Sequence, residues 1–424
     1  TTAANVGTYA TVATVDSPAI VAGSSNMLDV PVPPPPFRPV AAGNNYSCAL
    51  RDPGSVKCWG TNSNGELGQG NNIARRGDEA GEMGTNLVAA ALGTGRSARA
   101  ITAGAGHTCV LLDNASVKCW GLNSSGQLGL GDVASRGDGA GEMGDNLLAV
   151  DLGPGRTAPA IVAGDSPTCA LLDNATVKCW GGKSSGQLGL GDTANRGDGA
   201  NEMGSNLPAV NLGTNRTAIA ITAGQLHTCA LLDNATVKCW GENANGQLGL
   251  GDVAKRGDGP GEMGDSLPAV SLGTGLTPVR VDAGGFQTCA VLNNGSVKCW
   301  GQNGNGQLGL GDTNRRGDNA GEMGDALPAV DLGTGRTVVF VDAGPASSCA
   351  ILDNAALKCW GANTGRLGLG DTADRGDNAG EMGDALPAVS LGTGRTAMWV
   401  AVGATHGCAL LDDAGYKCWG LNGF

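Results

Sequence analysis

The amino-acid sequence predicts an all-β fold, a seven-bladed β-propeller of four-stranded antiparallel blades with an N-terminal extended arm. First, a fourteen-residue signature recurs seven times at a period of about 60 residues, which indicates one supersecondary unit stacked many times. Second, every copy carries two cysteines ten positions apart, and these pairs account for all 14 cysteines. Third, 74 of the 424 residues are glycine and only 4% are aromatic, a composition typical of turn-rich β structure.

Each signature predicts a β-hairpin closed by a disulfide. In the second copy, two β-favouring runs flank Asp113 and Asn114, which tolerate the left-handed geometry of a tight turn. Pairing the strands about Asn114 places Cys109 opposite Cys119, near disulfide reach, and each bridge then stabilises the fold by about 2–3 kcal/mol. The predicted disulfides are Cys48–Cys58, Cys109–Cys119, Cys169–Cys179, Cys229–Cys239, Cys289–Cys299, Cys349–Cys359 and Cys408–Cys418.

The cysteine spacing also predicts the cellular compartment. Zinc is the alternative ligand for paired cysteines, but a zinc knuckle needs a much shorter gap and a second Cys or His pair to complete the site. Seven disulfides favour an extracellular or cell-surface location. Because the chain starts at Thr1 and not at Met, we expect an exported protein whose signal has been removed.

Each period holds four β-like runs. In the second copy the hairpin strands are followed by a Gly/Asp-rich loop over 132–145 and by runs at 147–152 and 160–163. Residues 26–424 are therefore expected to form one propeller domain. Counting back from Gly43, residues 27–32 fall near the position of the 147–152 run, so we predict that they supply the outer strand of the first blade, beside residues 38–43.

Three short motifs stand in the same order in successive copies. In the fourth copy they are Ala-Gly-x-x-His-Thr at 223–228, Trp-Gly-x-Asn at 240–243 and Gly-Gln-Leu-Gly-Leu-Gly at 246–251. This set resembles the repeat of the regulator-of-chromosome-condensation family over roughly residues 26–424. The resemblance implies a seven-bladed β-propeller, but it does not choose a function, because the family includes a nuclear exchange factor, photoreceptors and secreted inhibitors.

Charge argues against nucleic acid and membranes as partners. The net charge is −12, no run of basic residues occurs, and no apolar run approaches the length needed to span a bilayer. The chain lacks the basic arm of the nuclear family members and adds the cysteine pairs. Exchange-factor activity and DNA contact are therefore not expected, and neither is membrane insertion.

Residues 1–25 form the predicted N-terminal arm. A strand from such an arm can add to a sheet edge of a neighbouring molecule, or it can pack on its own propeller. Head-to-tail addition between molecules would build a fibre. The residues predicted to carry self-assembly are Thr8, Tyr9, Ala10, Thr11, Val12, Ala13, Thr14 and Val15.

Six long acidic loops allow three interpretations. The first is structural, with Asp caps and Arg–carboxylate pairs that hold the loop together. The second is calcium, which takes six to eight oxygens from flexible loops, and the third is adhesion through the Arg-Gly-Asp tripeptide that each loop contains, as at 136–138. The candidate calcium ligands are Asp132, Asp138, Glu142, Asp145, Asp252, Asp258, Glu262, Asp265, Asp312, Asp318, Glu322 and Asp325.

No catalytic set is apparent, so the chain is predicted not to be an enzyme and to need no cofactor, with calcium as a candidate ligand of the acidic loops. His107, His227 and His406 share a repeat position that holds Pro167 in another copy, which favours local packing over catalysis. Seven tryptophans that directly follow the second cysteine are expected to pack between blades, whereas Trp399 has no assigned role. Asn-x-Ser/Thr sequons, three of them in hairpin turns, would carry glycans only in an organism that glycosylates secreted proteins.

These observations lead to two hypotheses for function. The first is a non-enzymatic extracellular structural protein, a surface or fibre subunit that binds other copies of itself through its N-terminal arm. The alternative is a secreted binding propeller, an adhesin or protein inhibitor, that recognises a protein or glycan ligand through one loop-bearing face.

Overall fold

The chain folds into a closed ring of seven antiparallel sheets, called blades 1 to 7 in chain order. The computed structural model describes residues 38–51, 54–71 and 73–422. The ring closes between blades 7 and 1, where His406 Nε2 lies 2.6 Å from Ser47 Oγ and the Tyr416 hydroxyl donates to the Leu50 carbonyl at 2.6 Å. The predicted all-β, seven-bladed architecture is confirmed.

The innermost strand of each blade lines a central channel. It consists mainly of small and β-branched residues, and in blades 2, 4, 5, 6 and 7 a β-bulge interrupts its pairing near its start. Numbered in chain order, the innermost strands are β1 (Val40–Ala42), β6 (Ala98–Ala103), β9 (Ala160–Ala163), β12 (Ala218–Ala223), β15 (Pro278–Ala283), β18 (Val338–Ala343) and β21 (Ala397–Val402).

The second and third strands form the predicted hairpin. Ala115 takes the left-handed φ of 60° that the tight turn requires. The second strands are β2 (Tyr46–Arg51), β7 (His107–Leu112), β10 (Pro167–Leu171), β13 (His227–Leu232), β16 (Gln287–Leu292), β19 (Ser347–Leu352) and β22 (His406–Leu411). The third strands are β3 (Ser55–Thr61), β8 (Val117–Gly121), β11 (Val177–Gly181), β14 (Val237–Gly241), β17 (Val297–Gly301), β20 (Leu357–Gly361) and β23 (Tyr416–Gly420).

A disulfide joins the two hairpin strands of every blade. The register pairs Cys109 directly with Cys119, as the sequence predicts, and the same pairing recurs in the other six blades. Their Cα atoms are 4.0–4.1 Å apart. The bridges lie in the centre of each sheet, and all but Cys418 are buried.

The prediction of four regular strands per blade is wrong for six of the seven blades, which have three. The run at 147–152 does lie beside β8, and Val150 N donates to Val117 O at 2.8 Å, but no regular ladder forms. In blades 3 to 6 the second residue of this outer segment is proline, which has no amide hydrogen to donate to a ladder. Blade 1 has Val88 there, and it forms two short extra strands, β4 (Arg75–Arg76) and β5 (Ala89–Ala90).

The outer segment also belongs to a different blade from the one predicted. It pairs with the hairpin that precedes it in the chain, as β5 pairs with β3 through Val56 and Ala90. The outer edge of blade 1 is therefore occupied by β5. Residues 27–32, which were predicted to fill that position, lie outside the described residues.

Neighbouring blades are joined by the tryptophans that follow each second cysteine. Trp120 is fully buried, and its indole Nε1 donates to the carbonyl of Glu66 in the preceding blade at 2.9 Å. Gly129, in the next loop, has a φ of 66°, and a Cβ there would lie 2.8 Å from Trp180 Nε1. The prediction that these tryptophans pack between blades is confirmed, and the glycine permits the close approach.

The long loops follow the third strands and end in single 3-10 turns in five blades. Within the described residues, no helix is long and apolar enough to cross a membrane. The 3-10 turns are Gly144–Asn146, Gly204–Asn206, Gly264–Ser266, Gly324–Ala326 and Gly383–Ala385.

Candidate functional site

The channel has two different ends. The innermost strands begin at one end, next to the hairpin turns, since Asp113 N donates to Ser97 O at 2.8 Å. We call this end the hairpin mouth. The long acidic loops leave from the other end, where Gly121 pairs with His107.

One layer of the channel wall ties neighbouring innermost strands together. Thr102 Oγ1 accepts a hydrogen bond from Ala163 N in the next blade at 3.1 Å. At the equivalent positions, Asp282 accepts from Ala343 N and Asp342 from Val402 N, both at 2.7 Å. An innermost strand is a sheet edge with unpaired amides, and these side chains cover them.

The two aspartates place a buried and a half-buried side chain one blade apart. Asp282 is 8% exposed and also accepts from Thr222 Oγ1 at 3.3 Å. Burial and the neighbouring Asp282 carboxylate raise the pKa of Asp342 to about 8. Beside Asp282, the neutral form of the Asp342 carboxyl is therefore favoured over the charged form.

Closer to the hairpin mouth, the channel wall is strongly asymmetric. The position occupied by Ala100 is also alanine in blades 3 and 4, but it is Arg280, Phe340 and Trp399 in blades 5, 6 and 7. The Phe340 and Trp399 ring centroids are 4.3 Å apart, and the Arg280 guanidinium lies 4.0 Å from the Phe340 centroid. This stack holds the guanidinium flat by a cation–π interaction.

A ring of side chains surrounds the hairpin mouth, and we call it the collar. In each blade the collar residue is the one that directly precedes the position equivalent to Arg280. Five of its members are the extra residues of the β-bulges, which turn their side chains out of the ladder. Ile219 and Val279 are each 58% exposed. The collar consists of Arg38, Arg99, Pro159, Ile219, Val279, Val339 and Met398.

The arginines at the hairpin mouth differ from most arginines of the protein. Elsewhere they pair with acids, as Arg96 does with Asp113 at 3.4 Å and Arg136 with Asp132 at 2.6 Å. Within the described part of the chain, Arg38, Arg99 and Arg280 make no ion pair within 4.0 Å and no side-chain hydrogen bond. Among the described residues, the nearest acids to Arg38 and Arg280 are felt through their charge and not through a hydrogen bond, as with Asp282 and Asp342.

The acidic loops place their carboxylates on partners of the same chain. In blade 2, Asp132 pairs with Arg136, and Glu142 Oε2 accepts from Gly137 N at 2.9 Å and Gly139 N at 2.7 Å. Partial burial raises the pKa of Asp138, and its hydrogen bond with Glu142 raises the pKa further.

The fourth loop acid reaches the neighbouring blade. Asp145 accepts from Thr94 N at 2.8 Å and Thr94 Oγ1 at 2.6 Å, and Asp265 and Asp325 do the same with Thr214 and Thr274. Among the described residues no group of three or more His, Cys, Asp or Glu side chains converges as a metal site. The geometry favours the structural interpretation of the loops, and calcium binding stays a prediction.

The Arg-Gly-Asp tripeptides take part in the same hydrogen bonds and ion pairs of the acidic loops. Arg136 is engaged by Asp132, and Gly137 is buried against the loop of the preceding blade, since a Cβ there would lie 2.7 Å from Gly65 O. These contacts favour the structural interpretation of the tripeptide, and adhesion through it stays a prediction.

Three other predicted groups have clear positions. His107 Nε2 lies 2.9 Å from Thr168 Oγ1 of the next blade, and burial lowers the pKa of His107 to about 4, which fits the predicted packing role. Asn114 and its equivalents Asn174 and Asn234 are exposed in hairpin turns. Residues 8–15, predicted to carry self-assembly, lie outside the described residues.

Sequence reasoning missed the collar and the Arg280–Phe340–Trp399 stack. Trp399 was noticed but had no assignment. An alignment of the seven copies at this single position would have shown alanine change to arginine, phenylalanine and tryptophan in consecutive repeats. The β-bulges that expose the collar have no comparable signal in the sequence.

Comparison with known proteins identifies the repeats. The model of the Regulator of chromosome condensation (RCC1) repeat matches residues 40–66, 98–127, 218–247 and 279–307. The human probable E3 ubiquitin-protein ligase HERC6 is 28% identical over 75% of this chain and 27% of its own length. The Arabidopsis thaliana ultraviolet-B receptor UVR8 is 26% identical over 73% of this chain and 62% of its own length. The chain thus spans less than two thirds of the length of these relatives.

Solved structures show the same fold. Human WBSCR16 superimposes with a TM-score of 0.64 at 17% identity, covering 90% of this chain and 86% of that protein. Prp20p from Saccharomyces cerevisiae gives a TM-score of 0.64 at 18% identity, covering 86% and 80% respectively. At these identities the likeness establishes the architecture alone.

Proposed function

Because the chain is an RCC1-like repeat β-propeller, we propose that it is a non-enzymatic binding protein that recognises a protein partner with the hairpin mouth of its channel. The collar is the observation that carries this proposal. It joins exposed apolar side chains to arginines that form no ion pair within 4.0 Å with an acid of the described residues, on a closed scaffold. Such a combination of apolar contact and free arginine is typical of protein recognition surfaces.

The fold and the cysteines support the two other parts of the proposal. The yeast relative Prp20p has binding properties towards Gsp1p and histones, so a propeller of this type can serve as a binding platform. Seven disulfides and the absence of free cysteines among the described residues favour an extracellular or cell-surface compartment. The net charge of −12 disfavours nucleic acid as a partner of this chain, and the arginines of the collar disfavour a basic, histone-like partner at this mouth.

Site-specific photo-crosslinking tests the proposed face. A photoreactive residue replaces Ile219 or Val279 of the collar, and in control proteins it replaces Val133 or Val253, which are 55% and 56% exposed in the long loops at the other end. Incubated with the extracellular proteins of the source, the collar proteins should give a discrete adduct and the loop proteins should not. An adduct from the loop positions alone would place recognition on the opposite face.

The self-associating structural subunit is a second candidate, and one observation favours it. On the third strand of blade 7, Lys417, Cys418 and Gly420 are exposed, whereas the equivalent Cys359 and Gly361 of blade 6 are buried. An exposed outer strand is a place where a strand of another copy can add. Light scattering over a wide concentration range, with and without residues 1–25, tests it: a monomer at every concentration contradicts self-association.

A further inference from the structure

We propose that the collar and the stack behind it bind an extended peptide segment that carries one carboxylate beside apolar side chains. This inference rests on the proposed function, because it names the chemistry of the partner that the hairpin mouth would take. The carboxylate would be bound by the arginines of the mouth, and its apolar neighbours would lie on the exposed collar residues.

Two of the arginines lie side by side at the mouth, and the third lies across the channel from them. Arg38 and Arg99 occupy the same collar position in blades 1 and 2, and these blades are adjacent, since Ile101 N donates to Arg38 O at 3.2 Å. Arg38 also lies close enough to Arg280 for the two charges to interact across the channel. A carboxylate accepts paired hydrogen bonds from a guanidinium, and Arg280 is already held flat by Phe340 and Trp399.

The remaining collar residues are apolar. Pro159, Ile219, Val279, Val339 and Met398 follow one another in blades 3 to 7, so the collar presents a basic arc and an apolar arc. A ligand that satisfies both arcs needs an acidic group and aliphatic or aromatic side chains within a short stretch. A polypeptide segment offers both.

A polyanion such as nucleic acid or a sulfated glycan fits less well. The acids of the hairpin turns surround the mouth, and they include Asp113, Asp173, Asp233 and Asp353. Each of these acids is paired with an arginine, so the repulsion of a ligand with many negative charges comes from the net charge of −12 of the whole chain. A single carboxylate is repelled far less and can reach the arginines of the mouth. Asp282 and Asp342 lie deeper in the channel wall. Among the described residues they form no ion pair within 4.0 Å with Arg38 or Arg280, but they lie near enough for their charges to interact with both arginines.

A random peptide library displayed on phage tests the inference with the intact chain. The peptides enriched on the wild-type protein should carry Asp or Glu within a few positions of Leu, Ile, Val or Phe. In synthetic, fluorescently labelled versions, changing that acid to its amide should weaken binding about tenfold or more, as expected for a charged hydrogen-bonded pair.

Variants of the protein locate the contacts. The double change Arg38→Gln and Arg99→Gln should weaken binding by a similar factor, and Arg280→Lys should keep the charge but lose the paired hydrogen bonds. Arg315→Gln is the matched control, because Arg315 lies in a long loop and donates to Ala244 O at 3.2 Å. Circular dichroism checks that each variant is folded.

Several results would overturn the inference. They are enrichment of peptides without acids, no enrichment at all, equal binding by the acid and amide peptides, or displacement of the peptide by a heparin fragment. If crosslinking from Ile219 persists in any of these cases, the proposed function stands and only the ligand chemistry is wrong. If the enriched peptides bind equally well after Ile219→Asp and Val279→Asp, the proposed face itself is wrong.

Discussion

Blades 2–4 and blades 5–7 share one framework but differ where they line the channel. Their third-strand tryptophans are equally buried, as Trp120 and Trp360 show, and both use the indole to join the preceding blade. On the innermost strand, however, Ala100 and its two successors give way to Arg280, Phe340 and Trp399. Contacts between blades impose the same residue on every copy, whereas a channel-lining position makes no such demand and can diverge for recognition.

The largest expected effect comes from removing the aromatic wall of blades 5–7. Phe340→Ala should lower the free energy of unfolding by about 3–5 kcal/mol, because it leaves a cavity at a side chain that is 1% exposed and removes the ring beneath Arg280. Denaturant unfolding measures this. Ile219→Ala in the collar should change stability by less than about 0.5 kcal/mol, and equal losses from the two changes would contradict the packing described for Phe340.

Removing a disulfide should have the same effect in blades 2–4 as in blades 5–7, because the two sets of blades share one framework. Replacing both cysteines of Cys109–Cys119 by alanine should lower the free energy of unfolding by about 2–3 kcal/mol, and the same replacement of Cys349–Cys359 should cost as much. Both bridges close loops with a sequence separation of 10 residues. Unfolding in denaturant compares them, and a clearly unequal loss would show that the blades are not equivalent outside the channel.

A titrating carboxyl distinguishes blade 6 from blade 2. The folded pKa of Asp342 is about 8 against an ordinary value of 3.8. The contribution of Asp342 to the free energy of unfolding is therefore complete below about pH 4, and it is lost as the pH rises through about 8. The loss is up to about 1.4 kcal/mol per pH unit. Asp342→Asn should remove this part of the slope of stability against pH.

Thr102→Val is the matched control, since Thr102 occupies the equivalent position in blade 2 and does not titrate. It should lower stability by the same amount at every pH. Thermal unfolding between pH 4 and 9 measures both variants, and an unchanged slope in Asp342→Asn would refute the assignment.

Removing a loop ion pair should lower the free energy of unfolding by a small and equal amount in blade 2 and in blade 5. Arg136→Gln and Arg316→Gln each remove a pair to an aspartate at 2.6 Å, with the arginine side chains 24% and 19% exposed. Because partly exposed pairs contribute little, each change should lower stability by about 1 kcal/mol or less. A loss several times larger in either blade, measured by denaturant unfolding, would mean that the pair organises the whole loop.

Calcium should have the smallest effect. The carboxylates of Asp132, Glu142 and Asp145 already accept hydrogen bonds from arginine, backbone amides and Thr94. Titrating calcium into protein freed of metal by a chelator should therefore leave Tm unchanged. A rise of Tm with calcium concentration would establish binding to the folded state by mass action.

Local spacing was sufficient to predict the disulfides, the hairpins and the tryptophan contacts. Cys109 and Cys119 are close in sequence, so the turn at Asn114 alone brings them together. A regular fourth strand was predicted in each blade because the run at 147–152 looks like a strand in the sequence. Whether such a run forms a regular ladder also depends on the strand beside which it lies. The placement of that segment on the preceding hairpin could not be read from order along the chain.

The sequence by itself determined the repeat, the paired cysteines and the closed all-β ring, because these follow from spacings within one unit and from its repetition. Only the tertiary structure decided that Arg38, Arg99 and Arg280 lie at the same mouth of the channel, and that Asp342 lies half-buried beside Asp282. These residues are separated along the chain by one or more whole repeats. Closure of the ring brings them together, and their charges and exposure depend on neighbours from other blades.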